Sequence, residues 1–185
     1  MEKPDFKTLS RKEKNAHNMI RIPAWVYGGI LVVYGGIYSL IYLLLRFFNT
    51  ALIPMSEDDL FVTKIMHEQM RIFQFSPLLL MLGIGLLLIG FLYYKWFEKL
   101  RQILLIMLGA VVFILVFIGF HTWDMMDTVM MVFAEEEPEF SEPAMVFMRF
   151  VSIIGLLFAL GFLSVPFITG LVGEKRLRKM QDDSE

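Results

Sequence analysis

Charged side chains punctuate this chain at few places, and between them lie four unbroken uncharged runs: Ile22 to Leu45, Ile72 to Tyr94, Gln102 to Trp123 and Phe150 to Gly173. Each exceeds the roughly 20 residues that carry an α-helix across about 30 Å of hydrocarbon. Lipid offers no partner to backbone N–H and C=O groups, so a crossing segment must satisfy them internally, as a helix does. The pattern predicts an all-α, polytopic membrane protein with four transmembrane helices, at about 23–46, 75–95, 102–123 and 148–172. A basic tail over 1–22 precedes them and a second tail over 175–185 follows. The polar connection from Lys95 to Arg101 is short, which makes the second and third spans an antiparallel hairpin and an up-down-up-down bundle the simplest arrangement.

Local signals refine the boundaries. Ser10 followed by Glu13 fits a capping box, so a short helix is predicted from there to about Arg21, with Pro23 at an early position of the first span. Between the first two spans Val62, Ile65 or Met66, Gln69 or Met70, and Phe73 recur at helical spacing, opposite Leu60, Lys64, His67 and Arg71. That segment reads as an amphipathic helix along the membrane surface. Ser76 and Pro77 form an N-cap and first-turn pair for the second span. Residues from Asp124 to Ala144 read as a second loop, solvated where Glu135, Glu136, Glu137 and Glu139 surround Pro138. Trp25, Tyr42, Tyr93, Tyr94, Trp96 and Trp123 fall near span ends, where amphipathic rings are favoured.

Composition agrees: 57% of the 185 residues are hydrophobic and 19% charged, against about 25% charged in soluble domains. The chain has no cysteine, which excludes disulfides, thiolate metal sites, cysteine nucleophiles and palmitoylation. The net charge of −2 conceals a sorting of signs. Lys and Arg concentrate in the N-terminal tail, between Lys95 and Arg101, and between Lys175 and Lys179; only Arg46, Lys64, Arg71 and Arg149 lie on the other side, among most of the acids. By the positive-inside rule both termini are expected in the cytoplasm, in a plasma or bacterial inner membrane. The long positive region and the absence of a small-residue cleavage site after the first apolar run predict that helix one stays as an anchor. Nucleic acid is not an indicated partner; the lipid bilayer is.

Two sets of residues are candidates for function. Tyr27-Gly28-Gly29-Ile30 and Tyr34-Gly35-Gly36-Ile37 repeat seven residues apart, about two helical turns, so Gly28, Gly29, Gly35 and Gly36 line nearly one face. Ser152, Gly155 and Ala159 make a second small-residue stripe. Such faces admit close helix approach, within the bundle or against a second copy or a larger membrane partner. The second set is His121, Asp124 and Asp127, which share one helix edge and could hold a divalent cation or relay a proton. Met66, His67 and Met70, together with Met125, Met126, Met130 and Met131, offer thioether and imidazole ligands of the kind copper takes, although Met also fills gaps. Two histidines at one depth, as haem would need, do not occur. Arg46 and Arg149 sit at span ends and can pair with Asp124, Asp127 or Glu142. No charge lies at mid-span, and no H-E-x-x-H, G-x-S-x-G or Walker loop is present. No cofactor is therefore expected. The reading is a non-enzymatic accessory, assembly or scaffold subunit acting through helix faces and an acidic outer surface; the alternative is a small transport or metal-ion-binding protein using the outer His, Asp and Met residues.

Overall fold

A computed structural model describes residues 4–5, 7–49, 71, 74–136 and 138–183, with the backbone alone for 48–49, 130–136 and 138–142. Among the described residues all regular structure is helical: α1 (Arg11–Asn49), α2 (Ser76–Leu92), a 3₁₀ turn (Phe97–Lys99), α3 (Leu100–Glu136) and α4 (Pro138–Asp182). Helices α1, α3 and α4 are long and apolar enough to cross a membrane. Helix α2 has 17 residues, which makes it about 26 Å long and places it at the lower limit of the crossing range.

The capping box forms. The Ser10 N–H donates to Glu13 Oε2 at 2.7 Å, and the Glu13 N–H donates to Ser10 Oγ at 3.3 Å. The helix it starts does not stop at Arg21; it continues through Pro23 to Asn49 as one element of 39 residues. The reason is packing. Ala16, Ile20 and Ala24 form one stripe at four-residue spacing, each at most 2% exposed, so the segments on either side of Pro23 are buried as a single ridge. Ser76 is not the N-cap of α2: Phe75 takes that position without a side-chain cap, and Ser76 Oγ accepts a hydrogen bond from Ser39 Oγ of α1 at 3.1 Å.

The segment from Asp124 to Ala144 is also helical, apart from residue 137, which lies outside the described residues. An acidic composition keeps such a segment out of a core but not out of a helix. Glu, Met and Ala are good helix formers, Pro138 takes the first position of α4, and carboxylates favour a helix N-terminus. The amphipathic segment predicted between the first two spans lies outside the described residues, apart from Arg71 and Gln74.

Neighbouring helices run antiparallel. A Cβ at Gly35 would stand 2.6 Å from the Leu80 backbone N, one at Gly28 would stand 2.9 Å from Leu87 N, and one at Gly83 would stand 2.7 Å from Val32 N. Helices α1 and α2 thus touch backbone to backbone. Helices α1 and α4 meet where a Cβ at Gly173 would stand 2.8 Å from the Ala16 carbonyl oxygen, and again where the Tyr27 and Phe162 rings pack at 4.9 Å. Leu104 covers Gly170 and Leu156 covers Gly119 between α3 and α4. Large side chains join α2 to α3: Phe75 on Phe117 at 4.0 Å and Met107 over Gly85. The most deeply buried residues, among them Ile20, Leu86, Leu100, Leu104 and Phe167, gather toward the end that carries both tails. Beyond the Tyr27–Phe162 contact α1 and α4 part company. Tyr34 is 57% and Phe158 76% exposed, and a Cβ at Gly155 would meet nothing within 4 Å.

Candidate functional site

Polar side chains collect at the two ends of the bundle. At the acidic end, Asp127 of α3 and Arg149 of α4 form an ion pair at 2.7 Å, so Arg149 selects Asp127 from the acids within its reach. The Arg149 guanidinium also lies 5.5 Å from the centre of the Trp123 ring. His121 is half-buried, with its ring 4.3 Å from that of Phe117. Asp124 is exposed, and its backbone carbonyl accepts the Thr128 hydroxyl at 3.0 Å. The three residues of the H-x-x-D-x-x-D edge therefore have different surroundings. Among the described residues, no three His or acidic side chains converge where they could hold a metal ion. Met125 and Met126 are half-buried, while Met66, His67, Met70 and the Met130 and Met131 side chains lie outside the described residues.

The glycine repeat divides. Gly28 and Gly35 are consumed by contact with α2, whereas Gly29 and Gly36 have nothing within 4 Å. One residue is about 100° of rotation on a helix, enough to turn the second glycine of each pair off the α2 interface. Gly155 is open in the same way, and Ser152 and Ala159 beside it are half-buried.

The basic end holds the polar arrangement that sequence patterns missed. His17 reads from sequence as a solvated tail residue, yet it is 1% exposed, and its Nδ1 shares a 2.8 Å hydrogen bond with the Tyr93 hydroxyl just beyond α2. The signal was present in its neighbour, because Ala16, Ile20 and Ala24 already define a buried ridge. Burial of the imidazole, before the apolar run begins, holds the His17 pKa below its ordinary 6.5; the nearby Glu13 carboxylate opposes that shift more weakly. Glu13 is itself held below the usual carboxylate range, chiefly by its hydrogen bonds from Ser10. On α4, Glu174 is 3% exposed and paired with Arg178 one turn on. The Arg178 guanidinium donates to the carbonyls of Phe97 at 3.3 Å and Glu98 at 3.1 Å, tying α4 to the α2–α3 turn. Mid-helix hydroxyls stay local: Ser164 donates to the Gly161 carbonyl and Thr169 to that of Val165.

The His17–Tyr93 contact predicts a pH dependence. The folded state binds a proton at His17 less readily than the unfolded chain does, so its stabilising contribution is full above pH 6.5 and is lost as pH falls from there through the lowered folded value. Thermal unfolding in mild detergent should show wild type losing stability below pH 6.5, with a smaller loss in His17→Gln. Tyr93→Phe should cost about 1–3 kcal/mol at neutral pH, the penalty for a buried polar atom stripped of its partner.

No family model, no curated protein and no solved structure matches the chain, so the reading of its role rests on its own geometry.

Proposed function

We propose that the chain is a four-span membrane protein, both termini in the cytoplasm, that serves as a non-enzymatic accessory, assembly or scaffold subunit through its helix faces. The observation that carries this reading is the open outer half of the α1–α4 side. Tyr34 of α1 and Gly155 of α4 each stand seven residues from the Tyr27–Phe162 contact, at one depth, and neither is covered. A projecting ring beside a notch, together with the outward Gly29 and Gly36, is the relief against which transmembrane helices pack. The Asp127–Arg149 pair, the His17–Tyr93 hydrogen bond and the Arg178 contacts bind the protein's own elements to each other. Transport through an outer cation site would require Asp127 to exchange Arg149 for the ion.

Association should therefore respond to the outward glycines. Wild-type protein extracted in mild detergent is expected to migrate as a complex, and Gly29→Leu/Gly36→Leu to run as the lone chain with an unchanged unfolding midpoint. His121→Ala should leave the complex intact. A lone wild-type chain in native mass spectrometry, or a bound metal lost in His121→Ala, would overturn the reading.

A further inference from the structure

A groove of about 320 Å³ lies between α1 and the end of α2, walled by Arg21, Trp25, Phe91, Tyr93 and Tyr94 over Gly90, with Pro4 at its rim. We propose that this groove seats an anionic phospholipid, its phosphate against Arg21 and an acyl chain along Phe91. Four observations point there. Arg21 is the last charge before the apolar run of α1, and Tyr94 the last residue of the α2 run before Lys95, so the groove straddles the level at which headgroups meet chains. The Arg21 guanidinium stacks on Trp25, 4.2 Å from the ring centre, and the indole is fixed in turn over Gly90, where a Cβ would overlap it. A planar guanidinium held in place suits phosphate, which it binds through paired N–H donors.

The third observation is the Trp25 indole N–H, which is buried without an acceptor among the described residues and leaves the wall with one donor more than it uses. The fourth is charge and polarity together. Lys95, next in the chain to the lining Tyr94, is exposed, while Phe91 is 60% exposed on the apolar side. Free phosphate shares the headgroup's chemistry but has no use for that apolar wall; a lipid uses both. The proposal needs residence in a bilayer and stands apart from the subunit role.

The test uses the full chain with Trp25 as its only tryptophan (Trp96→Phe/Trp123→Phe) in vesicles of phosphatidylcholine and phosphatidylglycerol, with either lipid carrying brominated chains that quench indole fluorescence. Brominated phosphatidylglycerol is expected to quench Trp25 at a mole fraction about fivefold lower than brominated phosphatidylcholine, the preference one basic residue near the surface confers. Arg21→Gln should abolish the preference and Arg21→Lys weaken it, while Lys99→Gln retains it and millimolar inorganic phosphate leaves it unchanged. Equal quenching by the two lipids, a preference that survives Arg21→Gln, or one erased by inorganic phosphate would overturn the proposal. Native mass spectrometry of the wild type needs no variant: a retained phosphatidylglycerol supports the site, and its absence from protein taken from those vesicles overturns it.

Discussion

Gly35→Leu is expected to break the α1–α2 interface and cost about 3 kcal/mol or more of stability, at or beyond the upper range for overpacked cores. The atoms in the way are Leu80 N and Cα, 2.6 and 2.8 Å from where a Cβ would stand. Backbone cannot rotate aside as a side-chain tip can, so the two helices must separate, and the Ser39–Ser76 hydrogen bond one turn further on would be lost with them. Gly36→Leu is the control, since that position is open and a leucine there projects outward. Thermal unfolding in mild detergent should place Gly35→Leu roughly 10 °C below wild type, at the 2–4 °C per kcal/mol typical of chains this size, with Gly36→Leu near wild type. Equal midpoints for the two variants would mean that α1 and α2 do not meet at these glycines.

Arg178→Ala should be the second large effect, about 3 kcal/mol. Removing one member of a buried ion pair leaves the other as an uncompensated charge, which costs about 3–5 kcal/mol, and the lower end applies because Arg178 is itself partly exposed to water. Two carbonyls of the α2–α3 turn lose their donor at the same time. The penalty belongs to the stranded carboxylate, so Glu174→Gln in the Arg178→Ala background should recover most of the lost stability. A double variant no more stable than Arg178→Ala would show that the turn carbonyls, and not Glu174, set the cost.

What could be read from sequence follows from the range of the interactions. The capping box joins neighbours three residues apart, and the charge-free runs report a solvent preference that each segment carries on its own, so both were legible. Arg149 had few acids within reach, and Asp127 was among them. His17 and Tyr93 are separated by 76 positions, and nothing local marks either as the other's partner. The basic cluster at Lys175 to Lys179 reads as surface, and Arg178 does stay exposed, but its guanidinium reaches across to the α2–α3 turn because Glu174, one turn earlier, is buried. The glycine pairs announced close packing without saying which member of each pair would be used, because that depends on the rotation of α1 against a neighbour some 50 residues away in the chain, where Gly83 and Leu80 lie.

The length of α3 has a bearing on what the far end of the molecule can address. From Asp124 to Glu136 the helix continues about 20 Å past the last residue of its apolar run, and α4 begins its return only at Pro138. Charges at physiological ionic strength are screened over about 8 Å. The backbone of α3 thus reaches Glu136 more than two screening lengths along the helix axis from Trp123. With Trp123 at a membrane surface, the corner where α3 gives way to α4 would stand clear of headgroup charge, as a pedestal stands clear of its floor.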